Sequence, residues 1–277
     1  MKLDKTEIKK IIKQALREDI AAGDITTNAI ISKNAKTVGR ILVKSDGIIC
    51  GLKIAKMVFE ELDKSISFKS FCKDGDFLKA GSVAAEVKGS ERTLLTGERT
   101  ALNFMQRLSG IATMAHSYSE KLKGTQTQLL DTRKTVPGLR LLDKYAVKTG
   151  GGKNHRIGLF DMVLIKDNHI KAAGSITKAV SLIRKKYDDK FKIEVETKNL
   201  DEVREALETK ADIIMLDNMN KEMMKEAVKI INGKASTEAS GNITIDNIAV
   251  AASTGVDFIS VGALTHSVKA LDISMKI

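Results

Sequence analysis

Residues 193–217 read IEVETKNLDEVREALETKADIIMLD, one repeat of a strand-helix-strand pattern. The runs Ile193–Glu196 and Ile213–Asp217 are short and apolar and end in a carboxylate, and residues 200–207 between them have the periodicity of an amphipathic helix. Strands joined through one helix lie parallel, with a right-handed crossover. This stretch therefore predicts a parallel sheet whose strand ends carry polar side chains.

The same pattern continues on both sides of this stretch. Apolar runs closed by a polar residue or glycine are Leu129–Asp131, Met162–Lys166, Ile193–Glu196, Ile213–Asp217, Ser236–Glu238 and Phe258–Gly262. Taking run ends at residues 196, 217, 238 and 261 gives spacings of 21, 21 and 23, which fit one strand, one helix and two loops. A doubly wound open sheet and a barrel both fit, and polar strand ends favour the barrel. Six runs instead of eight indicate an incomplete α/β barrel of about six parallel strands, unless two strands escape the pattern.

The region before the barrel mixes helices and strands. Residues 4–20 and 52–62 have helical periodicity. Strand-like runs bounded by Asp-Gly and Gly breaks are Val38–Val43, Ser67–Phe71 and Val83–Val87. Residues 91–121 are helical again, with an expected break at Ser109-Gly110. We therefore expect a small α+β domain ahead of the barrel.

Charge and composition narrow the function class. The 277 residues include 46 Lys and Arg against 35 Asp and Glu, a net charge of +11 that favours an anionic partner. An aromatic content of 4% disfavours single-strand nucleic-acid binding by base stacking. Cys50 and Cys72 form no metal pattern, and the sequence has neither a signal peptide nor a long apolar run. We expect a soluble cytoplasmic protein with no membrane and no nucleic-acid partner.

Two cation-rich loops belong to the barrel region. Arg133 and Lys134 follow a strand end and precede the single proline, and a guanidinium beside an ammonium suits a carboxylate or phosphate. Residues 150–156 read Gly-Gly-Gly-Lys-Asn-His-Arg, in which glycines allow close backbone approach and His155 and Arg156 supply a switchable donor and a fixed cation. The alternatives are a solvated basic loop and a flexible surface loop; the spacing of a nucleotide-binding P-loop is absent.

Further polar groups close the later strands. Lys166 ends one strand and Glu196 and Asp217 end the next two, so we expect their side chains at the mouth of the barrel. Paired carboxylates there suit a divalent cation, a developing positive charge or acid–base work, and helix N-capping is the alternative. Ser240-Gly241 and Gly262 follow the last two strands, where barrels commonly bind phosphate.

Together these residues resemble the quinolinate phosphoribosyltransferase family, also called nicotinate-nucleotide pyrophosphorylase (carboxylating). The most specific segments are Thr132-Arg133-Lys134-Thr135-Val136-Pro137-Gly138 and Lys166-Asp167-Asn168-His169. The other resembling segments are Gly97–Asn103, Gly150–Gly158, Glu194–Glu196, Leu216–Asn218, Glu238–Asn242, Val256–Leu264 and Ala270–Ser274. They occur in order over residues 97–274. The N-terminal region matches by its length and its mixture of helical and strand-like runs, not by specific motifs.

The resemblance implies an architecture and a reaction. It implies an N-terminal α/β sandwich domain over residues 1–104, an α/β barrel catalytic domain over 105–266, and a C-terminal tail, 267–277, packed back on the sandwich. It implies a homodimer with shared active sites and leaves open whether the dimers assemble further. It also implies a reaction that requires Mg²⁺ but no organic cofactor. The implied reaction joins quinolinate to 5-phosphoribosyl-1-pyrophosphate with decarboxylation. The products are nicotinate mononucleotide, CO₂ and pyrophosphate, on the de novo route to NAD.

The resemblance also implies roles for individual residues. Those implied to hold the two quinolinate carboxylates are Arg133, Lys134, His155 and Arg156. Arg99 is implied to reach over from the other subunit. The implied catalytic residues, which line the ribose and pyrophosphate, are Lys166, Glu196 and Asp217; the two carboxylates also serve the metal. Those implied to hold the 5′-phosphate are Ser240, Gly241 and Gly262.

Two alternatives remain at this point. A nicotinate-using transferase, or the related protein of molybdenum transport systems, would share the scaffold, and the full set of cations for a dicarboxylate favours quinolinate over both. A basic nucleic-acid-binding protein would need a continuous basic face with base-contacting residues. The cations of this chain stand at strand ends among glycines and carboxylates instead.

Overall fold

The computed structural model describes residues 4–277. The elements of the N-terminal part are α1 (Lys5–Ile20), α2 (Ile25–Ile30), β1 (Lys36–Val43), β2 (Gly47–Ile48), α3 (Leu52–Leu62), β3 (Ser67–Ser70), β4 (Phe77–Leu78), β5 (Val83–Ser90) and α4 (Glu91–Lys121). The remaining elements are β6 (Gln128–Leu130), α5 (Arg140–Thr149), β7 (Val163–Ile165), α6 (Asp167–Ala173), α7 (Ile176–Tyr187), β8 (Ile193–Thr197), α8 (Leu200–Glu208), β9 (Ile213–Asp217), α9 (Lys221–Ile231), β10 (Ser236–Ser240), α10 (Ile248–Ala252), β11 (Phe258–Ser260), α11 (Ala263–His266) and β12 (Ile273–Lys276). They fall into two compact units. One contains the chain through residue 116 with 136–151 and 267–277, and the other contains 117–135 and 152–266.

The first unit is built on an antiparallel sheet in the order β12-β1-β5-β3. Alternate residues of β1, such as Ile41 and Val43, are fully buried, as expected of strands with one face on a core. Helix α1 begins at its N-cap Asp4, whose side chain accepts a hydrogen bond from Thr6 N–H, and it packs against α3. The ring of Phe59 on α3 lies 6.4 Å from that of Phe68 on β3. Helices therefore cover the sheet, and the α+β sandwich is confirmed.

Helix α4 runs without interruption, so the break expected at Ser109-Gly110 is wrong. Gly110 has another reason to lack a side chain. A Cβ atom at this position would collide with the backbone oxygen of Lys269 and lie 3.1 Å from Cα of Ala270. The glycine lets the C-terminal segment cross the helix closely, and the helix tolerates it because the surrounding residues keep their hydrogen bonds.

The second unit is an incomplete barrel, as predicted. Its six strands are all parallel, in the order β6-β11-β10-β9-β8-β7. Read as a circle, this is the order of the chain, which is the topology of a βα barrel. Within residues 4–277, β6 and β7 do not pair with each other, and the single residue Lys153 bridges to Leu130 on the open side of β6.

The ends of the barrel strands coincide with the predicted runs to within a few residues. The structure adds short elements that the periodicity did not predict, among them α2, α5, α6 and β12. Strand β12, in the C-terminal tail, pairs antiparallel with β1 over Ile273–Lys276. No helix within residues 4–277 has the length and apolar character needed to cross a membrane.

Candidate active site

A pocket of about 600 Å³ opens at the carboxyl ends of the barrel strands. Ten of the eleven predicted site residues line it: Arg133, Lys134, His155, Arg156, Lys166, Glu196, Asp217, Ser240, Gly241 and Gly262. They come together because parallel strands bring their carboxyl ends to one edge, where the following loops begin. The eleventh, Arg99, is an exposed residue of α4 in the first unit and is not part of this lining.

Two carboxylates stand at neighbouring strand ends. The side chain of Glu196 on β8 is only 13% exposed, and burial followed by the charge of Asp217 raises its pKa above the usual range. Lys166 acts in the opposite direction, with its Nζ 3.8 Å from Oε2 of Glu196. Helix N-capping does not explain either acid, because Asn199 and Asn220 cap the helices that follow. The pair thus carries excess negative charge into the pocket.

Two guanidinium groups, those of Arg133 and Arg156, also line the pocket. Nε of Arg133 is buried, and nothing in the described part of the chain accepts a hydrogen bond from it. Burial and the charge of Arg133 lower the pKa of Arg156, while Glu194 and Asp161 raise it. Arg156 is held in place by a 3.1 Å hydrogen bond from Nη1 to the carbonyl of Met162. The buried Nε–H of Arg133 lacks an acceptor, and the two guanidinium groups carry like charges. Both features suit an anionic ligand.

The loop that carries His155 is fixed from below by Asp131. This fully buried carboxylate accepts hydrogen bonds from Nδ2 of Asn154 at 2.7 Å and from the backbone N–H of His155 at 2.9 Å. The His155 ring is engaged on both sides. Its Nδ1 accepts a 2.8 Å hydrogen bond from the backbone N–H of Arg156, and its Nε2 lies 2.8 Å from Oε2 of Glu194.

Glycines shape the far wall, where the chain turns after β10 and β11. Gly241 has a φ of +90°, and a Cβ there would collide with the side chain of Asn218. A Cβ on Gly262 would lie 2.9 Å from Cδ of Lys134. Ser240 accepts a 3.1 Å hydrogen bond from the hydroxyl of Ser260. Backbone amides at such turns are accessible to a phosphate group.

The structure adds four polar residues that the sequence reasoning did not select. Asp131, Glu194 and Glu238 are fully buried beneath the pocket, and His266 lies on its rim next to Gly262. The sequence did contain a signal for two of them. Glu194 lies two residues before Glu196, and Glu238 two residues before Ser240, and residues two apart in a strand lie on the same face. Asp131 closes the first apolar run, as Glu196 and Asp217 close later ones, whereas nothing in the periodicity marks His266.

Family models match nearly the whole chain. The model "Quinolinate phosphoribosyl transferase, N-terminal domain" matches residues 24–109, and the model for the C-terminal domain of the same enzyme matches residues 111–276. The second match includes every residue of the pocket described above.

Individual relatives agree with the family models. The mitochondrial quinolinate phosphoribosyltransferase [decarboxylating] 2b of Nicotiana tabacum is 46% identical over 98% of this chain and 82% of its own length. The chloroplastic nicotinate-nucleotide pyrophosphorylase [carboxylating] of Arabidopsis thaliana is 46% identical over 98% and 83%. The crystal structure of NadC from Streptococcus pyogenes matches with a TM-score of 0.97 at 43% identity, over 100% of this chain and 98% of that one. This chain belongs to the quinolinate phosphoribosyltransferase family.

Proposed function

We propose that the barrel pocket binds quinolinate and 5-phosphoribosyl-1-pyrophosphate side by side and joins them. The chain transfers the phosphoribosyl group to quinolinate with decarboxylation, giving nicotinate mononucleotide, CO₂ and pyrophosphate for NAD biosynthesis. We also propose the cytoplasm as its location, as the sequence predicts. The observation that carries the site assignment is that one pocket is lined both by two arginines and by two carboxylates at neighbouring strand ends.

The cationic side takes quinolinate. Arg133 offers a buried Nε that no described residue satisfies, so a carboxylate oxygen there gains a charge-assisted hydrogen bond without displacing a protein partner. Arg156 and Lys134 supply further positive charge for the second carboxylate. Burial and then the charge of Arg133 lower the pKa of Arg156, and an arriving dianion would offset both effects, which supports this role.

The other side takes the phosphoribosyl donor. Ser240, Gly241 and Gly262 hold the 5′-phosphate, because the two glycines leave the space that a Cβ would fill. Lys166 projects into the same pocket and is half-exposed, which leaves it available for the pyrophosphate. Glu196 and Asp217 face the ribose between these groups.

The same two carboxylates fit Mg²⁺. Oxygen ligands from one or two carboxylates, completed by substrate phosphates, are what this cation prefers. Burial and then the charge of Asp217 raise the pKa of Glu196, and a nearby cation would offset both effects, which supports the proposal. When bound, Mg²⁺ neutralises the departing pyrophosphate.

The charged residues of the pocket are suited to the charges that develop during the reaction. The bond from ribose C1 to the pyrophosphate oxygen breaks and leaves a positive, oxocarbenium-like sugar, which the carboxylates of Glu196 and Asp217 stabilise. The pyridine nitrogen of quinolinate then bonds to C1 and becomes positive. The bond to the 2-carboxylate breaks next, its electron pair stays on the adjacent ring carbon, and a proton takes the place of CO₂. Arg133 and Arg156 keep the ring oriented throughout.

A second copy of the chain completes the site. An apolar groove of about 670 Å³ follows the edge strand β7, and Leu159 and Phe160 beside it are 74% and 73% exposed. Arg156 and Leu164 line both this groove and the pocket. A large exposed apolar surface continuous with the pocket supports a homodimer in which a partner covers the groove and brings its Arg99 to the quinolinate.

The experiment is pyrophosphate release from 5-phosphoribosyl-1-pyrophosphate with Mg²⁺, with quinolinate and nicotinate as alternative acceptors. We expect release with quinolinate and little with nicotinate, because a monocarboxylate leaves part of the arginine pocket uncompensated. Arg204→Ala, which changes an exposed arginine of α8, is the matched control and should behave as wild type. Equal or faster release with nicotinate would favour a nicotinate-using transferase.

A further inference from the structure

One asparagine joins the end of β9 to the turn that follows β10. Asn218 comes directly after Asp217, and its backbone N–H donates a 2.9 Å hydrogen bond to the carbonyl of Ser240. Asp217 and Ser240 are themselves in register on the two parallel strands. Asn218 therefore lies between the carboxylate proposed to face the ribose and the turn proposed to hold the 5′-phosphate.

The side chain of Asn218 has a hydrogen-bond partner at each end of its amide. Its Nδ2 donates a 3.0 Å hydrogen bond to Oδ2 of Asp217. Its Oδ1 accepts a 2.9 Å hydrogen bond from Nδ2 of Asn242. The two contacts fix the orientation of the amide, because a carboxylate offers acceptors and the side-chain nitrogen of Asn242 offers donors. The same side chain occupies the space that a Cβ on Gly241 would need.

The turn that carries Asn242 has an anchor of its own. Nδ2 of Asn247, the residue before α10, donates a 2.9 Å hydrogen bond to the carbonyl of Asn242. Oδ1 of Asn247 accepts a 2.8 Å hydrogen bond from the backbone N–H of Thr244. The carboxylate of Asp217 is thus connected, through two asparagine side chains, to a turn that further hydrogen bonds hold in place.

Two simpler roles do not account for the side-chain contacts of Asn218. It does not cap the following helix, because the side chain of Asn220 does so. Its φ of +55° is left-handed, a conformation that asparagine tolerates better than most residues, but this tolerance requires neither side-chain hydrogen bond. Asn232 shows the difference, since it has a φ of +45° at an exposed position at the end of α9 and is not part of the pocket lining.

We propose that Asn218 is a positioning residue that sets the carboxylate of Asp217 at a fixed place relative to the turn of residues 240–242. This deepens the proposed function and rests on it. The phosphoribosyl donor is held at two points, with its 5′-phosphate at the turn and its C1 beside the carboxylates. One side chain joined to both places keeps the ribose within reach of Asp217. Small displacements at a reacting centre reduce the rate steeply, so this link acts on the chemical step.

The first test is Asn218→Gly, because glycine keeps the left-handed backbone and removes both side-chain hydrogen bonds. We expect kcat to fall about tenfold or more while the KM for quinolinate changes less than about twofold, since the hydrogen bonds described above include neither Arg133 nor Arg156. Asn232→Gly is the matched control, with the same substitution in the same backbone conformation, and should behave as wild type. A folded Asn218→Gly protein with wild-type kcat would overturn the proposal.

The second test asks whether the two asparagines act as one unit. Asn242 also has a left-handed φ, of +50°, so Asn242→Gly removes its side chain at little cost to the backbone. If Asn242 acts through Asn218, the double variant should be no slower than Asn218→Gly alone. Losses of kcat that multiply in the double variant would mean that the two side chains act separately, and the proposal would fail.

The third test needs neither turnover nor Mg²⁺. Ribose 5-phosphate has the phosphate and sugar of the donor without its pyrophosphate, and calorimetry measures its Kd. Asn218→Gly should bind it several-fold more weakly than wild type and Asn232→Gly do, and all three proteins should bind quinolinate equally. Equal affinities for ribose 5-phosphate would overturn the inference and leave the proposed function standing. A wild-type protein that neither binds ribose 5-phosphate nor releases pyrophosphate would remove the proposed function, and the inference with it.

Discussion

At the scale of single residues, the pocket is organised around charges that its substrates bring. Burial and then the neighbouring like charge lower the pKa of Arg156 and raise the pKa of Glu196; the like charges are Arg133 and Asp217 respectively. Such arrangements destabilise the empty protein and become favourable when opposite charge arrives. Removing one of these charges should therefore harm the reaction without harming the fold.

Arg133→Ala should weaken quinolinate binding most directly. The guanidinium is partly buried and its Nε has no acceptor among residues 4–277, so the lost pairing is worth roughly 2–5 kcal/mol. Titration calorimetry with quinolinate measures this loss, with Arg204→Ala as the control. Near-normal quinolinate turnover by a folded Arg133→Ala protein contradicts the assignment.

Glu196→Gln should lower kcat more than it weakens quinolinate binding, because the carboxylate acts on charge that develops only in the transition state. The same variant should be more stable. A raised pKa means that ionisation of Glu196 opposes folding, so stability falls as pH rises through that pKa, and at pH 7 the glutamine relieves the cost. Because the nearby charge of Lys166 offsets part of that cost, we expect a rise in Tm of about 1–3 °C. A normal kcat with a raised KM would show a binding role instead.

The site residues found from the sequence are those for which position along a strand was sufficient. Lys166, Glu196 and Asp217 each stand at a strand end. Because the barrel strands are parallel, these ends lie at the same edge, and the three side chains line one pocket. His155 could be placed in the pocket, but its role could not be read in the same way. Its Nδ1 accepts a backbone hydrogen bond and its Nε2 lies 2.8 Å from a carboxylate oxygen of Glu194, and both contacts depend on the folded path of the loop held by Asp131.

At the scale of elements, long periodic segments were predictable and short ones were not. Helix α3 has the predicted bounds, Leu52–Leu62, because five buried apolar side chains define its inner face. Helices α2 and α6 have six and seven residues, too few for a period of 3.6 to show. Strand β12 depends on pairing with β1 more than two hundred residues earlier, which no local pattern reveals. The domain division between residues 104 and 105 stays a prediction.

Gly110→Ala should be destabilising although alanine is the better helix former. The added Cβ would collide with the backbone of Lys269, which cannot move aside as a side chain can, so overpacking should cost about 1–3 kcal/mol. Urea unfolding measures the effect. Asn103→Ala, at an exposed position of the same helix, is the control and should be neutral or slightly stabilising. Unchanged stability in Gly110→Ala would mean that the C-terminal segment does not cross α4 at this point.

At the scale of the whole molecule, the proposed active site takes residues from two chains. Arg99 is exposed on α4 and is not part of the pocket lining, yet the family resemblance gives an arginine here a role in the partner's site. A two-fold interface is reciprocal, so in the proposed dimer each subunit would lend one Arg99 and receive one.

Mixing inactive Arg99→Ala and Lys166→Ala chains under subunit exchange tests this directly. A mixed dimer has one site with both lesions and one with neither. Random pairing makes about half of the dimers mixed, so activity should return to about a quarter of wild type. A mixture of Glu196→Gln and Lys166→Ala is the control, because each of its sites keeps one lesion. Exchange confirmed by mass spectrometry without recovered activity would place Arg99 within its own chain's function or outside the site.

The most direct measurement of the central claim follows the carboxylate that leaves. Quinolinate labelled with ¹³C in either carboxyl group is incubated with 5-phosphoribosyl-1-pyrophosphate, Mg²⁺ and the protein, and CO₂ and pyrophosphate are counted together. We predict one labelled CO₂ for each pyrophosphate when the label is in the 2-carboxylate, and unlabelled CO₂ in the same ratio when it is in the 3-carboxylate. Pyrophosphate released without CO₂, or CO₂ drawn from the 3-carboxylate, would contradict the account.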